Sequence, residues 1–250
     1  MLLLQSDAAC KLRARFDRVQ RFFWFFLPLS LFIPCADPDG LPKKEFTQWS
    51  VDEAVSVLNK SPWARQMTFT RVVGGIGSGV FGEKEIYSTF FVRFLSARPI
   101  REALVRLQQI QQGYDRMDTA DRSEFDNMTA RLLDPDLGRW IVLTVNFRSN
   151  DPDTERSVKQ FFQSQSFETI KNRVHLSTLR FPQLELSAYY PPQGDAIGAK
   201  FVFPRDVDSV PVLSDEDKTV TFQLDPVGID SDLIVDFPLA AMKISGELVL

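Results

Sequence analysis

The stretch Glu85-Ile-Tyr-Ser-Thr-Phe-Phe-Val-Arg-Phe94 and the one that follows it, Pro99-Ile-Arg-Glu-Ala-Leu-Val-Arg-Leu-Gln-Gln-Ile-Gln-Gln112, differ in the period of their apolar residues. The first is rich in β-branched and aromatic side chains and reads as a strand. The second opens on proline, which suits a first helical position, and places Ile100, Ala103, Leu104, Leu107 and Ile110 on one stripe. Gly113 ends that helix, because glycine accepts the left-handed conformation of a C-terminal cap. Residues 67–73 form a second strand, and the glycine-rich segment Val73-Gly-Gly-Ile-Gly-Ser-Gly-Val-Phe-Gly82 suits the hairpin loop between the two strands.

Working outward, Ser50 is the N-cap of an earlier helix with Asp52 and Glu53 in its first turn and Val51, Ala54, Val55 and Leu58 on one face. Ser61-Pro62 stops it. A helix over 120–133 carries Phe125, Met128 and Leu132. The alternation of Ile141, Leu143, Val145 and Phe147 predicts a strand over 140–147. Asp153 caps a short helix bearing Val158, Phe161 and Phe162. The last third is strand-like, at 184–190, 200–203, 219–224, 233–237 and 243–250, with Pro, Gly and Asp between the segments. Connections this short leave no room for helical crossovers. The expected fold is therefore α+β: a single domain over 37–250, with a mainly antiparallel sheet and helices packed on one side.

Residues 1–36 have a different character. Lys11, Arg13, Arg15, Arg18 and Arg21 precede the uncharged run Phe22-Phe-Trp-Phe-Phe-Leu-Pro-Leu-Ser-Leu-Phe-Ile33. Twelve helical residues rise only about 18 Å against a hydrocarbon core of roughly 30 Å, so an export signal is expected in preference to a spanning helix. Pro34-Cys35-Ala36 followed by Asp37-Pro38-Asp39-Gly40 resembles a cleavage region and a mature terminus, with a cut near Ala36. The alternative is a lipidated Cys35, although Pro34 stands where such anchors need a small residue. The expected location is the periplasm, envelope or exterior.

The chain has 29 Lys and Arg and 33 Asp and Glu. Five of the basic and two of the acidic residues lie in 1–36, so removing that segment leaves 24 and 31 and a net charge of −7. Such a surface repels phosphate backbones, and nucleic-acid binding is not expected. One histidine and two cysteines exclude zinc fingers, cysteine clusters and His-rich metal centres. A domain of about 214 residues can fold without disulfides, since it buries roughly 70% of its unfolded surface.

Taken in order, Trp49-Ser-Val-Asp-Glu, Ser61-Pro-Trp-Ala64, residues 91–104, Phe203-Pro-Arg205, Phe237-Pro-Leu and residues 242–250 resemble a group of uncharacterised exported proteins of acidobacterial type. The resemblance touches most of the chain and implies export. It implies no activity, cofactor or catalytic residue.

Gly77-Ser-Gly79-Val-Phe-Gly82 matches a dinucleotide fingerprint in form, but a strand follows where the fingerprint needs a helix N-terminus. Glu83 stands where a phosphate loop needs lysine. Ser78 lacks the flanking glycines of a nucleophile elbow. His175, the sole imidazole, would have to serve any Ser-His-Asp relay, and no motif surrounds it. The pairs Asp37/Asp39, Asp134/Asp136, Asp151/Asp153, Asp206/Asp208, Asp215/Asp217 and Asp230/Asp232 complete no calcium loop and suit turns. Trp49, Trp63, Trp140, Tyr189 and Tyr190 are expected in the core, with stacking on a ligand as the alternative. Arg93, Arg98, Arg101 and Arg106 are expected on a solvated face with local ion pairs, or against an anionic ligand.

No catalytic, cofactor-binding or metal-ligating residue is nominated. The expected function is a non-catalytic binding or structural module of unknown partner, needing neither metal nor organic cofactor. The alternatives are a carboxylate-dependent hydrolase such as a glycosidase and a calcium-stabilised module.

Overall fold

Residues 40–74, 84–194, 197–214, 216–225 and 232–250 are described by a computed structural model of the protein. The expected signal segment, Cys35, the fingerprint at 77–82 with Ser78, and Asp37, Asp39, Asp215 and Asp230 lie outside the described residues. The described residues belong to one unit, Ala36–Leu250.

Five helices are found among them: α1 (Val51–Lys60), α2 (Arg98–Gln112), α3 (Thr119–Leu133), α4 (Pro152–Ser164) and α5 (Phe167–Ile170). The strands are β1 (Ala64–Val73), β2 (Lys84–Phe94), β3 (Trp140–Ser149), β4 (Val174–Ser177), β5 (Ala188–Tyr190), β6 (Ala199–Pro204), β7 (Asp206–Val207), β8 (Val210–Pro211), β9 (Thr219–Leu224), β10 (Leu233–Pro238), β11 (Lys243–Ile244) and β12 (Glu247–Leu248). A five-stranded antiparallel sheet runs β1-β2-β3-β6-β5, and a three-stranded antiparallel sheet runs β10-β9-β4. The class is α+β, mainly antiparallel.

Register decides which face each side chain takes. Phe90 pairs with Phe147, Val92 with Val145 and Phe94 with Leu143; Leu143 pairs in turn with Phe201, and Ile141 with Phe203. All of these are buried on one face of the large sheet. The small sheet turns Val220, Phe222, Leu224, Leu233, Val235 and Phe237 toward that face. Phe94 meets Phe237 edge-on at 4.7 Å, and Phe201 meets Phe222 at 5.6 Å. Each such phenylalanine contributes about 1.5–3 kcal/mol by leaving water, so the two faces are held together mainly by aromatic burial. Helix α4 adds Val158 and Phe162 to this core. Arg65 of β1 clamps the sheets at one edge, donating to the Asp236 carbonyl at 2.9 Å with its guanidinium over Phe237.

The opposite face carries helices. Arg93, which points outward from β2, donates to the Leu58 carbonyl near the end of α1, and Val142 of β3 packs beneath Leu104 of α2 and Leu132 of α3. Two-sided cover explains why Val142 and Thr144 are buried along with the predicted alternating set of β3.

Several local expectations are corrected. The Ser50 cap forms with Glu53 as a capping box, but α1 packs through Ala54, Val57 and Leu58, leaving Val51 48% exposed and Val55 also exposed. Met128, expected on the buried stripe of α3, is 63% exposed, and Thr129 takes the buried place beside Phe125. The N-cap of α4 is Asp151, not Asp153, because Pro152 occupies the first helical position. The strand expected over 184–190 shrinks to β5, with Leu184 held only by a bridge to Leu176. The strand expected over 243–250 folds back at Ser245 and Gly246, whose positive φ values of 54° and 87° make a two-residue hairpin turn. Asp208 and Ser209 turn the β7–β8 hairpin in the same way.

Candidate functional site

Helices α1 to α3 reach across β1, β2 and β3, and the β6–β5 half of the outer face is left open. Val202 pairs with Val142 on one side and Ala188 on the other, and Lys200 pairs with Tyr190, so these five side chains share the outer face of the sheet. The end of α3 and the chain leading to β3 form the opposite wall, through Leu132, Pro135 and Leu137. The result is a groove of about 430 Å³ floored by Trp140, Val142, Val202 and Ala188. That volume lies within the roughly 300–1,000 Å³ common for sites that take one small molecule.

Among the described residues the lining is apolar except for a few groups, and its charged members are Arg101, Arg131 and Lys200. Arg101 is 9% exposed. Its Nη1 donates to the carbonyls of Leu95 (3.1 Å) and Ser96, while Nε is buried without a partner. Burial pushes its pKa down, partly offset by the charges of Glu102 and Asp134, neither of which is hydrogen-bonded to it. Arg131 is exposed on α3.

The arginines do not form the solvated cluster expected from sequence. Arg93, Arg101 and Arg106 are all buried and bind backbone carbonyls; Arg93 donates to Leu58 at 2.7 Å and Arg106 to Trp49 at 2.8 Å. Burial lowers the Arg93 guanidinium to about 10, still charged at neutral pH. Arg98 follows expectation, pairing with Glu102 on the surface of α2, and the buried Arg106 keeps one expected ion pair, reaching the exposed Asp115 at 3.5 Å. The aromatic residues divide. Trp49, Trp63 and Tyr189 are core, whereas Trp140 and the 52% exposed Tyr190 line the groove.

His175 borders a separate, polar cavity of about 580 Å³ with Lys171, Asn172, Gln183 and Glu185. Its ring meets the Gln183 side-chain amide, Nε2 to Nε2, at 3.1 Å, and among the described residues no hydroxyl or carboxylate is bonded to it. Four cavities formed by described residues carry one carboxylate or none: Glu155, Asp115 and Glu185 in three of them and none in the groove. None of these four therefore assembles the two facing carboxyl groups that glycoside hydrolysis requires. Among the described residues no group of three His, Cys, Asp or Glu side chains is placed to hold a metal ion. Asp151 and Asp217 serve backbone turns, accepting from Thr154 N and Ser214 N.

The groove was not nominated from sequence, because its lining is drawn from segments between Leu95 and Val202 with no shared motif. The signal that could have pointed to it is the alternation of β6, where Lys200 and Val202 oppose the buried Phe201 and Phe203. Compared with known proteins, the chain matches no family model, no curated protein and no solved structure.

Proposed function

We propose that the protein is an exported, non-catalytic binding module of the cell envelope or exterior, and that it holds an apolar small molecule in the groove over β3, β6 and β5. The observation that carries this is the half-covered sheet face. An apolar concavity floored by Trp140, Val142, Val202 and Ala188 loses free energy to water until a ligand covers it. Export is supported by the basic lead and twelve-residue apolar run ending at Ile33, and by the resemblance to exported proteins of acidobacterial type. Among the described residues no helix is long and apolar enough to cross a membrane.

The test has two arms. Nile red, an uncharged dye, brightens on entering the groove, and Ala188→Trp, which fills the floor, abolishes the signal while the far-ultraviolet circular dichroism stays unchanged. A signal untouched by Ala188→Trp refutes the site. Mass spectrometry of protein recovered from cell fractions finds a mature terminus near residue 37, or a lipid on Cys35; intact chain confined to the cytosol refutes export.

A further inference from the structure

The polar cavity beside His175 shares no lining residue with the groove. We propose that this cavity of about 580 Å³ is a second binding site, independent of the first, and that it holds a short neutral saccharide. The first ground is hydrogen-bonding capacity left unused. Among the described residues the Asn172 and Glu185 side chains, which both line the cavity, make no hydrogen bond or ion pair. The second ground is His175. The amide nitrogen of Gln183 stands 3.4 Å from its Nδ1 and 3.1 Å from its Nε2. An atom that close to both ring nitrogens would collide with Cε1 if it lay in the ring plane, so the amide sits over the ring face. Both nitrogens therefore keep their in-plane directions, one donating and one accepting in the neutral imidazole.

An amide, a carboxylate and an imidazole together donate and accept, and hydroxyl groups do both, so a polyol satisfies all three at once. The half-buried Phe167 and the buried Leu186 add an apolar patch against which the C–H face of a sugar ring can rest. Charged ligands fit less well. Lys171 is already bound to Glu168 at 2.7 Å and lies over the Phe167 ring, so it offers no free charge to an anion, which Glu185 repels. A cation placed beside Glu185 meets the Lys171 ammonium in the same lining. A wholly apolar molecule would strand the polar groups. Glu185 is the single carboxylate of this lining among the described residues, so the cavity binds a saccharide without the facing pair that hydrolysis needs.

The chain has a single histidine, so in tag-free protein the imidazole resonances belong to His175 and need no assignment. The probes are maltose, cellobiose, lactose and N,N′-diacetylchitobiose, added at fixed pH, with sodium acetate and spermidine as charged comparisons. At least one saccharide is expected to shift the His175 resonances with a Kd of about 1 mM, well below that of either charged probe. Asn172→Ala and Glu185→Ala, both at exposed positions, are each expected to raise that Kd about fivefold with unchanged far-ultraviolet circular dichroism. Resonances that answer to none of the saccharides overturn the inference, as does a Kd that neither substitution changes. A tighter response to acetate or to spermidine assigns the cavity to a charged ligand and overturns it as well.

Discussion

Gly198 lies so close to Val145 that a Cβ built on it would stand 2.3 Å from the Val145 carbonyl oxygen and 2.8 Å from its carbon. Its φ of +99° is a conformation that side chains rarely adopt. This contact sets β6 against β3 just where Ala199 pairs with Val145, and so determines the placing of the groove floor. Because the clash is with backbone, no rotamer relieves it. Gly198→Ala is expected to cost about 2–4 kcal/mol, read as a lowered midpoint in urea with an unchanged slope. A loss under about 0.5 kcal/mol contradicts the close approach.

Tyr189 donates its buried hydroxyl to the Phe162 carbonyl at 2.6 Å, satisfying a group in the last turn of α4 that the helix itself leaves open. Tyr189→Phe strands that carbonyl and is expected to cost about 1–2 kcal/mol, lowering Tm by a few degrees. Burial raises the Tyr189 pKa above its ordinary 10.0. An acid whose pKa is raised by folding adds stability fully present below the unfolded value and lost as pH climbs past it. Stability of the parent protein should therefore fall with pH above about 10 more steeply than that of Tyr189→Phe. Parallel alkaline slopes in urea titrations refute this coupling.

The Asp151 carboxylate is held down to about 2, first by the Thr154 hydroxyl at 2.8 Å, then by the Thr154 amide and by Lys84. A depressed carboxylate contributes above its unfolded value, near 3.8, and that contribution is lost as pH falls toward 2. Acid titration of Asp151→Asn should show less stability change across that window than the parent, and the α4 amides should exchange faster in Asp151→Ala at neutral pH. Unchanged exchange at Thr154 dismisses the capping role.

Arg93 joins β2 to the end of α1 through Leu58 O and the Asn59 side chain. A cation at a helix C-terminus also complements the helix dipole. Arg93→Met fills similar space but leaves the Leu58 carbonyl without this donor, so a loss of about 2 kcal/mol is expected. Arg93→Lys is expected to recover less than half of that, because a single ammonium lacks the planar fork that reaches both acceptors. Full rescue by lysine, measured by urea denaturation, rules out the two-acceptor geometry.

Local signals carried much of the architecture. The Ser50 cap, the Pro62 stop and the left-handed Gly113 are decided by neighbours within a few residues, and each holds in the folded chain. The alternation at 141–147 likewise reports a face that is buried. The failures have one physical source. Met128 and Thr129 are equally plausible members of a helical stripe until the angle of α3 against α2 is known, and Val51 or Val57 depends in the same way on where α2 lies against α1. The hairpin turn at Ser245-Gly246 went unread because it sits within an apolar segment that continues plausibly as strand, whereas the chain turns at Asp208-Ser209 as the Asp206/Asp208 pair suggests.

By itself, then, the amino-acid order determined the class: short apolar periods of two with brief connections force antiparallel pairing, and helices begin and end where capping residues stand. Tertiary structure decided the site. Whether Arg101 is a solvated charge or a half-satisfied guanidinium in an apolar wall, and whether Trp140 is core or groove, depends on three helices covering only part of a five-stranded sheet. That shortfall in cover is a property of lengths and packing angles between elements far apart in the chain, which no local pattern encodes.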